Sequence, residues 1–224
     1  FDPTIGPLVN LWGFGPKANN NYPSDSVILN ALKSSGWEKL ILKDKGLSKK
    51  NPNLKLDLNA IAKGYAVDKV HQKILEMGFK DVFIEIGGEI KCSGQNKFKK
   101  KWRVGVEDPI SSSKNIIKVI NLEDRAMATS GNYRNFVDLN GLILGHTIDP
   151  RIGKPIKSEV LSVTVISSSC MRADAWATAL MVMSFEKGQE MIQLEDDLDV
   201  FWILDTGNNN YVFEKTNGIE LEKI

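Results

Sequence analysis

The sequence predicts an α+β fold, a single mixed domain whose sheet is rich in antiparallel pairs and carries packed helices. Three observations predict it. Short apolar stretches are broken by Gly, Pro and Asn turns, as in "DVFIEIGGEIKCSG" (81–94), the pattern of strands joined by hairpins. One long run, "NAIAKGYAVDKVHQKILEMG" (59–78), changes the apolar period from two to about 3.6. A strongly apolar strand, "EVLSVTVISSS" (159–169), runs straight into an apolar helix, "ADAWATALMVMSF" (173–185). With no internal repeat and no low-complexity linker, one α+β domain is the economical reading.

In chain order, "LVNLWGFG" reads as a short helix or turn, followed by a loop through "PKANNNYPSD". Ser24 or Asp25 can cap the helix "SVILNALKSSG", which Gly36 would end. "WEKLILKDKGLSKKNPNLKLDL" reads as two or three short strands, with Leu54, Leu56 and Leu58 alternating. Asn59 can cap the long helix, in which Ile61, Tyr65, Val67, Val70, Ile74 and Met77 recur at helical spacing until Gly78. His71 falls on the polar side of that pattern, a solvated position. "WRVGVEDP" and "IIKVINLEDRAMATSG" are further strands, and "NGLILGHTIDPRIGKPI" places Asn-Gly and Pro-Arg-Ile-Gly turns around a short one. The final "DVFWILDTGNNNYVFEKTNGIEL" reads as a hairpin and a tail.

Bulk composition excludes several classes. The chain has 224 residues, 42% apolar and 25% charged, with a formal charge of +1, so no general basic field would attract nucleic acid. Five cations crowd "KFKKKWR" (Lys97, Lys99, Lys100, Lys101, Arg103). A solvated hairpin tip accounts for them, and a docking patch for a phosphate or an acidic partner is the alternative. Cys92 and Cys170 form no C-x-x-C and, with two histidines, make neither a disulfide framework nor a structural zinc site. No apolar run has the length of a membrane-spanning helix.

Three stretches carry chemistry. In "ADAWATAL", Asp174 and Thr178 lie four apart on one helix face within an apolar run. Burying an unpaired carboxylate costs several kcal/mol. A first-turn carboxylate and a hydroxyl bonded back to its own helix would explain the pair, as would a hard-oxygen site for Mg²⁺. In "LDLNAIAKGYAVD", a helix start offers free N–H groups to a phosphate. Lys63 there opposes the helix dipole unless an anion compensates it, and Gly64 permits a close approach. In "GHTIDPRIGKP", His146 and Asp149 flank a strand end and a Pro turn, a usual place for reactive side chains.

Taken together and in order, "FDPTIGPLVNLWGFG", "LDLNAIAKGYAVDKV", "FIEIGGEIKCSG", "ATSGNYRNF", "HTIDPRIGKP", "SVTVISSS" and "ADAWATAL" resemble the ApbE family of flavin transferases, from the first residue to about Ser184. The resemblance implies an ApbE-type fold and an enzyme that moves FMN from FAD to a threonine hydroxyl of an acceptor flavoprotein, releasing AMP. It implies Mg²⁺ held by Asp174 and Thr178 with a backbone carbonyl, placed at Ala60 or else at Ala177. It implies FAD contacts at Phe1, Asp2, Asp57, Lys63 and Ile148, and a catalytic role for His146. Glu89 stands at the acidic position of the family's Gly-Gly-Asp/Glu motif, without an assigned role. The implied partner is an acceptor with a threonine target motif, such as a redox-pump subunit.

The resemblance also implies a periplasmic or other extracytoplasmic location at the cytoplasmic membrane, through an N-terminal lipid anchor absent from this chain. The family's portion before "FDPT" is likewise missing, so some flavin contacts are expected outside these residues. Ile152 replaces a family threonine in "DPRIGKP". Two other functions suit the same residues: an FAD pyrophosphatase yielding free FMN and AMP, and a non-catalytic FAD-binding protein. The second has no use for a base, and a purely structural role leaves Asp174 without a rationale.

Overall fold

The computed structural model describes residues 1–15, 21–111, 113, 115–131, 136–139 and 142–222. Part of the expected loop "PKANNNYPSD", part of "ATSGNYRNF" and the Asn140-Gly141 turn lie outside the described residues. The fold is α+β, and every strand pair is antiparallel.

The elements run as follows. Helices α1 (Gly6–Leu11) and α2 (Asp25–Lys33) precede the hairpin β1 (Leu40–Lys43) and β2 (Gly46–Lys49). The long α3 (Asn59–Glu76) leads to β3 (Val82–Ile86), β4 (Glu89–Ser93), β5 (Trp102–Glu107), β6 (Ile116–Leu122) and β7 (Ala126–Gly131). Two small hairpins follow: β8 (Phe136–Leu139) with β9 (Leu142–Gly145), and β10 (Ile148–Asp149) with β11 (Lys154–Pro155). Strand β12 (Val160–Ser167), helices α4 (Cys170–Val182) and α5 (Phe185–Ile192), and strands β13 (Asp199–Gly207), β14 (Asn210–Lys215) and β15 (Leu221–Glu222) complete the order.

Contacts divide these elements into two compact units, residues 1–58 with 134–157, and residues 59–133 with 158–224. In the larger unit a six-stranded sheet runs β14-β13-β12-β7-β4-β3, and a three-stranded sheet runs β15-β6-β5. Ile90, Val104, Val106, Ile120, Met127, Ile166, Phe201 and Ile203 fill the core between the two sheets. Helix α4 lies on the other face of the large sheet, against β12 and β7, and α3 lies beside it against β3 and β4. This sandwiching explains why β12 reads as a nearly continuous apolar run: both its faces are covered. In the smaller unit Leu8, Trp12, Ile28, Leu144 and Ile148 form a separate core, and Trp12 Nε1 donates to the Gly153 carbonyl at 2.7 Å.

Several expectations need correction. Helix α2 ends at Lys33, and Gly36, at φ 122°, opens a 3₁₀ turn instead. Of Leu54, Leu56 and Leu58, only Leu54 is buried and none lies in a strand. The segment finds no partner strand; the Asp57 amide donates instead to the Pro3 carbonyl at 2.7 Å. The buried stripe of α3 is Gly64, Val67 and His71, while Tyr65, Val70 and Met77 are exposed. His71 is therefore not solvated: it is 5% exposed, and its Nε2 lies 3.0 Å from Ser93 Oγ. Burial and the charge of Lys91 push its pKa below the ordinary value. Helix α5 follows a break after α4, and the Ser184 side chain caps it by accepting from the Lys187 N–H.

The basic stretch forms the connection between β4 and β5. Lys99 pairs with Asp81 at 3.8 Å, Lys101 with Glu123 at 3.0 Å and Arg103 with Glu222 at 2.7 Å, so much of its charge is compensated locally.

Gly64 decides how closely α3 and α4 approach. A Cβ there would fall 2.4 Å from the Cys170 carbonyl oxygen and 2.7 Å from Met171 Cα. Gly64→Ala gains about 1 kcal/mol in helix propensity, but pressing a methyl into backbone typically costs about 1–3 kcal/mol. A net loss of stability is expected in urea denaturation followed by circular dichroism. A more stable variant would show that the crossing is not tight.

Candidate functional site

The larger unit gathers its polar residues where α3 crosses the start of α4. A helix start leaves backbone N–H groups without partners, and here another helix supplies the acceptor. Asp68, one turn beyond Gly64 on α3, accepts from the Cys170 and Met171 amides at 3.0 Å each and from Ser169 Oγ at 2.8 Å. Lys91 Nζ donates to the same carboxylate at 2.7 Å. Burial alone would raise the Asp68 pKa, but these donors outweigh it and hold the group below the usual carboxylate range. Asp68 was not recognised from sequence; its spacing from Gly64 was the only available sign.

One turn back, the Gly64 N–H donates to Asp174 Oδ2 at 3.0 Å. A regular helix directs that N–H to the Ala60 carbonyl, so Ala60 shares its donor with a carboxylate from α4. Asp174 stands in the second turn of α4, not the first, and is only 4% exposed. Burial drives its pKa up to about 6 against the Gly64 hydrogen bond, and the nearby Glu89 charge adds to the rise. Thr178 Oγ1 lies 3.3 Å from Ser130 Oγ on β7, a cross-element contact in place of a bond back to its own helix. Ala177 is fully buried in mid-helix, where a carbonyl normally serves the helix ladder.

Lys63 answers the puzzle of a cation near a helix start. Its Nζ lies 2.6 Å from Oε1 of Glu89, the first residue of β4. The Gly87-Gly88 turn, at φ 63° and 102°, brings Glu89 under this pair: a Cβ at Gly87 would lie 3.4 Å from Lys63 Cδ and 3.8 Å from Glu89 Oε2. Glu89 is 2% exposed, and among the described residues its Oε2 has no hydrogen-bond partner. Burial raises its pKa even with Lys63 alongside.

These residues suit a hard cation. Asp174 is a buried carboxylate with one backbone donor, Thr178 and Ser130 present hydroxyls nearby, and a second carboxylate oxygen is stranded at Glu89. Among the described residues no three His, Cys, Asp or Glu side chains form a cage of their own, and Mg²⁺ needs none, because it usually retains water and takes phosphate oxygens. Soft-metal or thiol chemistry has no footing: Cys92 and Cys170 are free and buried. Burial pushes both thiols up, Cys92 to about 11.

The remaining predicted residues belong to the smaller unit. Asp2 Oδ1 accepts from the Thr4 amide at 2.8 Å and its hydroxyl at 2.7 Å, and Thr4 Oγ1 accepts from the Gly36 amide at 2.6 Å. Phe1 and Asp2 line an open groove of about 510 Å³ with Trp37, Lys39, Pro150 and Arg151. Asp57 is tied to the same N-terminal segment through Pro3. His146 precedes β10, with its ring 6.3 Å from Phe14 in an edge-on arrangement. Ile148 has its side chain in the core, and in β10 it stands opposite Pro155. Asp149 carries the Pro turn: it accepts from the Arg151 amide at 2.8 Å and pairs with that guanidinium at 2.6 Å. The Arg151 contacts outweigh burial and keep Asp149 below the usual carboxylate range.

Comparisons with known proteins bear on the family and the fold. The family model described as "ApbE family" matches residues 1–202. A protein of Vibrio cholerae named FAD:protein FMN transferase is 43% identical over 193 residues, covering 86% of this chain and 58% of its own length. Its namesake in Salmonella typhimurium is 35% identical over 211 residues, covering 92% of this chain and 60% of its own. The chain thus spans under two thirds of these relatives. Among solved structures, the flavin transferase ApbE from Vibrio cholerae superposes with a TM-score of 0.85 at 37% identity, over 96% of this chain and 68% of that one. The flavinyl transferase ApbE of Pseudomonas stutzeri gives 0.84 at 36% identity, over 97% and 67%. On its motifs, its fold and these matches, the chain belongs to the ApbE family.

Proposed function

We propose that this chain carries the catalytic part of a Mg²⁺-dependent FAD:protein FMN transferase. The observation that carries the reading is Asp174, a carboxylate buried at the α3–α4 crossing beside Thr178 and Lys63, which the fold alone gives no reason to bury. The names of the relatives support the substrate, FAD, and the class of acceptor, a protein.

In this reading the acceptor's threonine oxygen attacks the FMN-side phosphorus of FAD. The bond from that phosphorus to the bridging oxygen breaks, and AMP departs with the bridging oxygen. The threonine proton passes to His146; such acid–base help is worth roughly 10²–10⁴-fold. Lys63 places an ammonium at the pyrophosphate, where charge grows on the phosphoryl oxygens. Asp174, Thr178 and the Ala60 carbonyl hold Mg²⁺, which supplies charge neutralisation to the pyrophosphate when bound. Phe1, Asp2, Asp57 and Ile148 are the further FAD contacts that the family resemblance implies. The extracytoplasmic location is part of this proposal, carried by the family resemblance, and fractionation of the source cells tests it.

Incubation with FAD, Mg²⁺ and an acceptor bearing the threonine motif is expected to add one FMN mass to the acceptor, matched by AMP and abolished by EDTA. AMP without a modified acceptor would identify a pyrophosphatase instead. His146→Ala is expected to slow transfer roughly 10²-fold or more while changing FAD affinity little; an unchanged rate would remove His146 from the mechanism.

The Asp174 pKa gives a second, independent test. Because the folded value, about 6, lies above the ordinary carboxylate value, folding favours the protonated acid. That contribution is present at low pH and lost as the pH rises through about 6. At one pKa unit per about 1.4 kcal/mol, ionising Asp174 without a cation costs the fold on the order of 3 kcal/mol. Asp174→Asn is therefore expected to raise the melting temperature in EDTA at pH 7.5, with a smaller gain at pH 5. Added Mg²⁺ should stabilise the wild type at pH 7.5, less at pH 5, and the variant not at all. Equal Mg²⁺ stabilisation of both proteins would refute the cation assignment.

A further inference from the structure

Glu89 has no task in the reaction proposed above, yet its construction is costly. The side chain is 2% exposed, Oε1 is engaged by Lys63 at 2.6 Å, and Oε2 is buried without a partner among the described residues. A buried carboxylate oxygen left unsatisfied costs at least about 1–3 kcal/mol. An ion pair meant only to steady Lys63 would not need to strand it.

The local charges suggest what the cost supports. Lys63 contributes one positive charge, while Glu89 and Asp174 contribute one negative charge each. Lys63 is the chain neighbour of Gly64, whose amide holds Asp174, and the Glu89 charge is felt at Asp174. The next cation on β4, Lys91, is committed to Asp68 at 2.7 Å and changes nothing in the sum. With its carboxylates ionised this corner carries net negative charge, which repels a pyrophosphate and attracts a divalent cation. Binding of such a cation reverses the sign.

We propose that Glu89 is the charge that sets the order of binding: it strengthens the hold on the divalent cation and keeps the FAD pyrophosphate out until the cation is present. The inference rests on the reading of Asp174 as a cation ligand and FAD as the substrate. It makes Glu89 a positioning charge, outside the reacting atoms.

The signature is a pair of opposite effects, which a merely structural role would not produce. In this chain, Glu89→Gln is expected to tighten FAD binding in EDTA roughly tenfold and to weaken Mn²⁺ binding without FAD by a similar factor, within the usual range of site-to-site coupling. FAD is measured by equilibrium dialysis with assay of the intact dinucleotide, at matched ionic strength. Mn²⁺, a probe for an oxygen-ligand site, is counted by the paramagnetic resonance of the free ion. Glu89→Asp, which keeps the charge, should restore both values towards wild type. If Glu89→Gln does not fold, Glu89→Asn is judged by the same two numbers.

Weaker FAD binding in EDTA would mean that Glu89 serves to hold Lys63, and unmoved constants would mean that its charge does not matter; either overturns the inference. Wild-type protein that takes up no Mn²⁺, or an Asp174→Asn variant that takes it up unchanged, would remove the cation site and this inference with it. Intact controls with an unresponsive Glu89→Gln remove the inference alone.

Discussion

The close crossing of α3 over the start of α4 is the constraint on which the larger unit depends. It requires a residue without a side chain at Gly64, because any Cβ would meet the Cys170 carbonyl. It requires an acceptor for the exposed amides of α4, and Asp68 provides one from the neighbouring helix, with a turn of α3 between it and Gly64. The same approach brings the Gly64 amide to Asp174. A glycine and two carboxylates, each four residues beyond the Gly64–Cys170 contact on its own helix, thus fix the geometry. Burial of Val67, Ala126 and Cys170 beneath them supplies the apolar support. The two carboxylates meet different fates. Asp68 collects four donors and is content as an anion; Asp174 has one backbone donor and is not. That asymmetry separates a carboxylate with a structural role from one poised for a ligand.

A buried acid can be stabilised by a proton, a cationic side chain or a metal ion, and the three leave different traces. Lys91 neutralises Asp68, and both side chains are largely withdrawn from solvent. Lys63 neutralises Glu89 only in part: the lysine is half exposed and one carboxylate oxygen is left over. Among the described residues no basic side chain bonds to Asp174. The gradient from Asp68 through Glu89 to Asp174 runs from full compensation to almost none, and the uncompensated end coincides with the hydroxyls of Thr178 and Ser130. A hard cation would complete the series, which is why the oxygen-rich end of the crossing, and not the lysine-rich one, is read as its place.

Much of this was legible in the sequence, for identifiable reasons. The Gly-Gly turn and its flanking alternation located β3 and β4, because glycine is needed where the backbone is left-handed, as it is at both positions. The apolar run around Asp174 located α4, since a carboxylate among Ala, Trp, Leu and Met stands out against a buried stripe. Burial of His71 was not legible, because apolar periodicity cannot reveal a polar residue satisfied by a serine on another strand. The Leu54–Leu58 alternation misled because a period of two describes a strand only when a partner edge is available, and here the chain bonds to Pro3 instead. Asp68 escaped notice because capping a different helix is a tertiary fact: its sequence neighbours say nothing about the amides of Cys170 and Met171.

The path of the chain assigns His146 and the charged corner to different units. Strands β7 and β12 are paired neighbours in the large sheet, with Gly131 opposite Ser162. Between them the chain makes a long excursion that contains β8 to β11, His146 and the Asp149–Arg151 turn. Its departure and return lie at adjacent strand ends, so the ladder between β7 and β12 closes whatever the excursion carries. The charged corner is instead built into helix–helix and helix–sheet packing, where a single added methyl at Gly64 meets backbone. A side chain added at Gly64 cannot be accommodated without moving α4.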